Sequence, residues 1–293
     1  MLYAELDPLA PVAIQDHDSG DGWRVFFRTA ALRDQARAAL ASEFGNALLD
    51  LVAEDVDDED WARRSQASLK AVRVGRIVVA PPWDAASASA SASPTGMRDA
   101  GSGMRNTNLG RRASDPGSRV PDPDILIVID PSMGFGTGHH ATTRLCLELL
   151  QRLDVVGKRV IDVGTGSGVL ALAAWARGAS SVTAVDHDPD ALQNARENII
   201  RNRAAAEIEV IEVDLSSVAL PPADIVLANL TAAVLLRYAA SLQRLVVAGG
   251  QLVVSGFSPD DVDGVGGAIG ADVREVVREG EWAAALLSRG ARL

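Results

Sequence analysis

A glycine-rich turn and an acidic residue beyond it are the residues whose types and spacing could hold a cofactor. The apolar run from Val160 leads into Gly164, Gly166 and Gly168, and a second apolar run ends at Asp186, 22 residues after Gly164. Glycines let the backbone turn sharply and approach a ligand closely. A carboxylate at the end of the next strand can accept both hydroxyl hydrogens of a ribose. The pair therefore predicts a site for a cofactor that contains a nucleoside.

The spacing of the glycines distinguishes two classes of cofactor. A pyrophosphate needs the pattern G-x-G-x-x-G, whereas this turn reads G-x-G-x-G and has Val169 where the last glycine would stand. An NAD(P)-dependent oxidoreductase stays an alternative because it would share the sheet and Asp186, and detectable dinucleotide binding would favour it. The runs D-V-G-T-G-S-G and V-D-H-D-P resemble the signature of class I S-adenosylmethionine-dependent methyltransferases.

That resemblance implies a role for each residue of the signature. It implies that the turn at Gly164 and Gly166 passes the amino-acid part of S-adenosylmethionine and that Asp186 holds its ribose. It also implies that Asp214, after the third strand, meets the adenine amino group. An aspartate at a strand end is also an ordinary turn residue, so both interpretations of Asp214 stay open.

Two further segments resemble one family more closely. The run I-D-P-S-M-G-F-G-T-G-H-H-A-T-T ends at Thr143, and the run D-I-V-L-A-N ends at Asn229. Together they resemble the ribosomal protein L-eleven methyltransferase family (PrmA), and the resemblance covers most of residues 55 to 293. His139 and Ala141 depart from that family's pattern, which has threonine and proline there. We expect His139 and the adjacent histidine to be structural or to face the substrate, because no third metal ligand accompanies them at a familiar spacing.

The resemblance also implies the reaction. A small ferredoxin-like domain would recruit a large-subunit ribosomal protein, and a catalytic domain would move methyl groups from S-adenosylmethionine to lysine amines and to the N-terminal amine. Thr143, Gly164, Asp186 and Asn229 carry over as cofactor contacts. A neutral amine would attack the methyl carbon without a metal, and a lysine of ordinary pKa ~10.4 must first lose its proton. We expect Asn229 to be catalytic, because its side-chain oxygen or the neighbouring carbonyls could accept the amine's hydrogens.

The elements that position these residues alternate between strand and helix patterns. Apolar runs predict strands over 125–130, 159–163, 181–186, 208–214, 224–230 and 251–257. Helical spacing is expected over 141–153, 169–177, 190–203 and 232–245. The final stretch predicts an antiparallel hairpin around Gly280. The fold class predicted is α/β, with a doubly wound, mostly parallel, Rossmann-like seven-stranded methyltransferase sheet.

Composition divides the chain into three parts. Residues 1–83 contain strand patterns over 12–27 and 72–79 and a helical pattern over 30–44, which predict a small α+β domain for substrate recognition. Residues 84–120 include an alternating Ala-Ser run and no aromatic residue, so we expect a disordered, flexible linker. Residues 121–293 are predicted to be the methyltransferase domain.

Charge and composition exclude several classes. A net charge of -11 argues against nucleic acid as the substrate and suits a basic protein partner. A nucleic-acid amino methyltransferase would also need N-P-P-aromatic after the fourth strand, where this chain reads N-L-T-A. No apolar run is long enough for a membrane span, and the single cysteine has no intrachain partner, so we expect a cytoplasmic monomer.

Two alternatives remain open from the residues alone. The acceptor could be another protein or a small-molecule amine, because the cofactor half of a site constrains the acceptor poorly. The chain could also be a non-catalytic module that binds S-adenosylmethionine without turnover on any acceptor. Methyl transfer to a defined acceptor distinguishes these alternatives from one another.

Overall fold

The structure is a computed structural model that describes residues 11, 13–16, 23–27, 29–44, 52–53, 69–91, 125–131, 137–217 and 219–290. The chain divides into two compact units, Met1–Ser68 and Leu69–Leu293. Across these described ranges, no helix combines the length and the apolar character needed to cross a membrane.

The first unit contains one hairpin and one helix among its described residues. Strands β1 (Ala13–Asp16) and β2 (Trp23–Phe26) pair antiparallel. Helix α1 (Ala30–Phe44) has the predicted bounds and buries Ala36 and Leu40, which lie one turn apart. The ferredoxin-like arrangement stays a prediction, because most of the unit lies outside the described residues.

The second unit begins with a small three-stranded sheet. Strands β3 (Val72–Val74) and β4 (Ile77–Ala80) form an antiparallel hairpin, and β5 (Ile125–Val128) pairs parallel to β4. A single strand over 72–79 was wrong because the chain turns at Gly75, whose φ of 55° favours glycine. The prediction that 125–130 adds a strand to the main sheet was also wrong, since β5 pairs with β4. Residues 69–83 thus lie within the second unit, whereas the predicted boundary falls at residue 83.

Helix α2 (Ala85–Ser91) occupies the start of the segment predicted to be disordered. Ala88 donates its backbone N–H to the Asp84 carbonyl and is buried against Val78 and Ala80. Alanine is the strongest helix former, and burial of one alanine adds to that preference, so the prediction of disorder was wrong for this turn. The rest of the predicted linker, up to residue 120, lies outside the described residues.

Seven strands form the main sheet: β6 (Arg159–Val163), β7 (Ser181–Asp186), β8 (Ile208–Glu212), β9 (Ala223–Asn229), β10 (Val246–Phe257), β11 (Asp272–Glu279) and β12 (Trp282–Ser288). Their spatial order is β11, β12, β10, β9, β6, β7, β8. The five strands β6 to β10 run parallel, and β12 is antiparallel to both of its neighbours. The predicted α/β class is confirmed, and the sheet is mixed.

The order of the strands creates a switch point between β6 and β9. From β6 the chain proceeds to β7 and β8 on one side, and from β9 it proceeds to β10 on the other side. In an open α/β sheet, ligands bind at the carboxyl ends of strands where the strand order reverses. Val163 pairs with both Val185 and Ala228. The residues that follow these three positions therefore lie together at the carboxyl ends of the strands.

Helices cover both faces of this sheet. The first face packs against α3 (Ala141–Gln151), α4 (Val169–Ala176) and α5 (Pro189–Arg201), and the second packs against α6 (Ala232–Arg237), α7 (Ala239–Leu245) and α8 (Val262–Ile269). Neighbouring strand residues alternate between the two cores: Val160 belongs to the first and Ile161 to the second. The alternation directs Asp162 toward the first core.

Two helices of the second face differ from the sequence expectation. The predicted helix over 232–245 is two helices, separated at Tyr238, whose φ of -106° and ψ of 16° interrupt the helical path. Helix α8 was not predicted, because three of its eight residues are glycine, a poor helix former. Burial of Val265 and Ile269 offsets that low propensity.

Candidate cofactor-binding and catalytic site

The glycine turn after β6 is closely packed on two sides. The backbone N–H groups of Gly164 and Thr165 both donate to the Val185 carbonyl, at 2.9 and 3.0 Å. Gly164 has a φ of 68°, and a Cβ atom built there would lie 2.4 Å from Cδ2 of Leu230. The turn therefore requires glycine both for its backbone conformation and for the space beside β9.

Asp186 contacts the tip of this turn from the end of β7. Its Oδ2 accepts from the Gly166 N–H at 3.1 Å, and its Oδ1 accepts from the N–H groups of His187 at 2.8 Å and Asp188 at 3.2 Å. An ionised carboxylate has about four acceptor positions, so at least one remains for a ligand. The structure brings Gly164, Gly166 and Asp186 together, as the spacing predicts.

Asp162 lies beneath the turn and was not among the predicted site residues. Its Oδ2 accepts from the Thr165 hydroxyl at 2.7 Å and from the Ala171 N–H at 3.1 Å. Its Oδ1 is buried without a hydrogen-bond partner among the described residues. Burial raises the pKa of Asp162 to about 6, although the two hydrogen bonds act in the opposite direction. An acid two positions before the first glycine, inside an apolar strand, was the signal that could have identified it.

Thr143 and Asn229 meet at the same edge of the sheet. Thr143 lies in the first turn of α3 and is 1% exposed, and Asn229 ends β9. The Asn229 amide nitrogen donates to the Thr143 hydroxyl oxygen over 3.4 Å, although 86 residues separate the two positions. The contact fixes the direction of the Asn229 amide, so its Oδ1 points away from Thr143.

The start of α3 is held by the two histidines and by the terminal hairpin. The His140 side chain is the N-cap and accepts from the Thr142 N–H, and its ring meets the Trp282 ring edge-on at 5.0 Å. Burial and the nearby Arg144 lower the pKa of His140. Arg144 donates to the His139 carbonyl and, through Nε, to both Glu279 carboxylate oxygens at 3.1 Å. As the N-cap residue, His140 has a structural role. The contacts of His140 and Arg144 hold the start of α3, which carries Thr143, in place.

Asp214 lies in an exposed turn after β8, and the hydrogen bonds described for it stay within that turn. Its Oδ1 accepts from the Ser216 N–H at 2.8 Å, and hydrogen bonds from Ser216 lower the pKa of Asp214. The Val213 N–H donates to the Asp186 carbonyl at 2.8 Å, which keeps this turn beside the end of β7. The described residues contain no group of three or more His, Cys, Asp or Glu that could hold a metal ion.

The fold and the site together define a class. A mixed α/β sheet with a glycine turn at its switch point, an acid at the next strand end and an asparagine at the end of β9 is the arrangement of an S-adenosylmethionine-dependent methyltransferase. The particular family follows from comparison with known sequences. Residues 115–289 match the family described as ribosomal protein L11 methyltransferase (PrmA), and the chain belongs to this family.

Individual relatives agree with this membership. A protein of Heliobacterium modesticaldum named ribosomal protein L11 methyltransferase is 34% identical over 266 residues, which cover 89% of this chain and 74% of the relative. A protein of the same name from Geobacter metallireducens is 38% identical over 244 residues, covering 80% and 67%. The crystal structure of a ribosomal protein L11 methylase from Lactobacillus delbrueckii subsp. bulgaricus shares the fold, with a TM-score of 0.59, 24% identity, and coverage of 76% of this chain and all of that one.

These comparisons decide several predictions. The family, the S-adenosylmethionine cofactor and the methyltransferase class are confirmed. The alternative of an NAD(P)-dependent oxidoreductase was wrong, because the chain belongs to a methyltransferase family. The roles of the individual site residues, Thr143, Gly164, Gly166, Asp186, Asp214 and Asn229, stay predictions.

Proposed function

We propose that this chain methylates lysine amines of ribosomal protein L11, with the N-terminal amine as a further acceptor. The observation that carries the proposal is the contact between Asn229 and Thr143 beside the glycine turn, in a chain whose relatives are named for this activity. Those two residues adjoin the switch point of the sheet, where a ligand is expected. The acceptor amine would approach the cofactor at Asn229.

The residues at the turn suit S-adenosylmethionine. Gly164 and Gly166 would let the backbone approach the amino-acid part of the cofactor, and Asp186 would accept from the ribose hydroxyls at its remaining acceptor positions. Asp214 would accept from the adenine amino group, since its exposed turn lies beside the end of β7. Thr143 would complete the site from the start of α3.

Asn229 is the proposed catalytic residue. When bound, S-adenosylmethionine would supply a methyl group on a positively charged sulfur. A neutral amine would form a bond to the methyl carbon in line as the carbon–sulfur bond breaks and adenosylhomocysteine leaves. Because the Asn229 amide nitrogen points to Thr143, its Oδ1 is directed to accept a hydrogen from the incoming amine. That hydrogen bond would aim the amine's lone pair at the methyl carbon, and orientation of this kind supplies a large part of a rate enhancement.

The proposed domain organisation assigns substrate recognition to the N-terminal part. Residues 1–83 carry nine basic and fourteen acidic residues, and the whole chain has a net charge of -11. An acidic surface favours the encounter with a basic ribosomal protein. We assign substrate recognition to a ferredoxin-like first domain and catalysis to the second unit, Leu69–Leu293, with a linker within residues 92–120, in a cytoplasmic monomer.

Methyl transfer from labelled S-adenosylmethionine to ribosomal proteins from a strain lacking this enzyme tests the proposal. We expect label on L11 alone, located on amines by mass spectrometry, and its loss in Asp186→Ala. Label on a different protein, or on none while the cofactor binds, would overturn the proposed acceptor. Cofactor affinity unchanged in Asp186→Ala would overturn the proposed site.

A further inference from the structure

Three asparagines lie one helical turn apart along α5 and at its C-terminal end. Asn194, Asn198 and Asn202 share a face because residues four positions apart are neighbours on a helix. The side chain of Asn198 is fully buried. Buried amides require hydrogen-bond partners, and those of Asn198 include two separate segments of the chain.

One side of Asn198 contacts the glycine turn. Its Nδ2 donates to the Ser167 carbonyl at 3.0 Å and to the Asn194 Oδ1 at 3.2 Å. The same helix approaches the turn at a second point, since a Cβ atom built on Gly168 would lie 3.5 Å from the Cα and Cβ atoms of Ala195. The turn is thus supported by α5 as well as by Asp162.

The other side of Asn198 contacts the segment that leads to α3. Its Oδ1 accepts from the Asp130 N–H at 2.8 Å. Asp130 also pairs with Arg201 of the same helix at 2.7 Å. One amide thus joins the glycine turn at Ser167 to the chain that follows β5 at Asp130.

We propose that Asn198 is a positioning residue for S-adenosylmethionine. It fixes the position of the glycine turn relative to α5 and to the chain that follows β5, so that the backbone of the turn is held where the cofactor binds. The inference rests on the proposed placement of the cofactor at Gly164, Gly166 and Asp186. It assigns Asn198 no direct contact with the cofactor.

Asn202, which is partly buried, supplies a control on the same face of the helix. Its Oδ1 accepts from the Val128 N–H at 2.8 Å, and its Nδ2 donates to the carbonyls of Val128 at 2.6 Å and Asn198 at 2.8 Å. Like Asn198, it joins α5 to the β5 segment through backbone groups. Unlike those of Asn198, the hydrogen bonds described for the Asn202 side chain do not include the glycine turn.

The test compares Asn198→Asp with Asn202→Asp. Each replacement keeps an oxygen that accepts from the β5 segment and puts a carboxylate oxygen in place of the Nδ2 donor. That oxygen faces Ser167 and Asn194 at position 198, and Val128 and Asn198 at position 202. We measure the dissociation constant of S-adenosylmethionine by calorimetry and the melting temperature of the full chain. Both variants should melt lower, whereas the dissociation constant should rise about tenfold more in Asn198→Asp, which corresponds to one lost hydrogen bond to a buried carbonyl.

Equal changes in affinity in the two variants would overturn the inference, because Asn198 would then act only on stability. If Asn198→Asp does not fold, Asn198→Ser is measured against Asn202→Ser with the same criterion. Asp186→Ala separates this outcome from failure of the proposed site. Loss of binding in Asp186→Ala together with equal effects at 198 and 202 refutes the positioning role alone, whereas intact binding in Asp186→Ala refutes the site itself.

Discussion

Replacement of the buried Asp162 by asparagine should change how stability depends on pH. Burial raises the pKa of Asp162 from its ordinary 3.8 to about 6. Between those two values the native state binds more protons than the unfolded state, so the free energy of unfolding falls as pH rises. The asparagine of the Asp162→Asn variant cannot titrate, yet its side-chain oxygen can still accept from Thr165 and Ala171.

The size of the effect follows from the shift in pKa. A difference of about two units corresponds to about 3 kcal/mol of destabilisation at pH 7, since each unit is worth about 1.4 kcal/mol. Roughly half of that penalty is already present at pH 5, and little is added above pH 7. The free energy of unfolding of the Asp162→Asn variant, relative to the unmodified protein, should therefore rise between pH 5 and 7 and then level off.

Urea unfolding of both proteins at several pH values from 5 to 8 provides the measurement. The comparison is between slopes with pH, because the buried amide of the variant adds a constant cost that does not titrate. The other titrating groups are shared by the two proteins, so the difference between the slopes reports Asp162 together with its electrostatic coupling to Asp186 and Cys146. A difference that stays constant from pH 5 to 7, or that shrinks, would refute the raised pKa of Asp162.

Three further replacements test the proposed site. Gly164→Ala should lower the free energy of unfolding by about 1–2 kcal/mol, because alanine disfavours the left-handed backbone conformation at this position. It should also weaken cofactor binding, because Leu230 must move to make room for the added Cβ. An unchanged urea midpoint would contradict the expected loss of stability. Asn229→Ala should reduce turnover about a hundredfold, a larger factor than its loss of cofactor affinity in calorimetry, and full turnover would refute its proposed role. Asp214→Ala should raise the dissociation constant of S-adenosylmethionine about fivefold, the value of one hydrogen bond, and an unchanged constant would leave Asp214 as a turn residue.

The strands of the main sheet were predictable because parallel strands buried on both faces form continuous apolar runs. The glycine turn was predictable because its left-handed backbone angles strongly favour glycine, so the residue types indicate the conformation. The strand with which another strand pairs was not predictable in this way. The run that forms β5 is as apolar as its neighbours, and nothing local records that it pairs with β4 rather than with the main sheet.

The burial of polar side chains was also not predictable from the sequence. Asn198 stands among charged residues in R-E-N-I-I-R, a pattern typical of a solvent-exposed helix face. Helix α2 was missed for a related reason, since alternating Ala and Ser carry no large side chain that would mark a buried face. In both cases a tertiary contact, at Asp130 for one and at Val78 for the other, decides the outcome.

The chemistry of a glycine turn explains why polar residues are buried around it. Glycines have no side chains with which to pack, so the shape of the turn must be imposed through hydrogen bonds to its backbone and to Thr165. Val185, Asp186 and Asn198 contact the backbone of the turn, and Asp162 bonds Thr165 and the first turn of α4. A protein that keeps the three glycines but loses these supports should therefore retain the fold and bind S-adenosylmethionine more weakly.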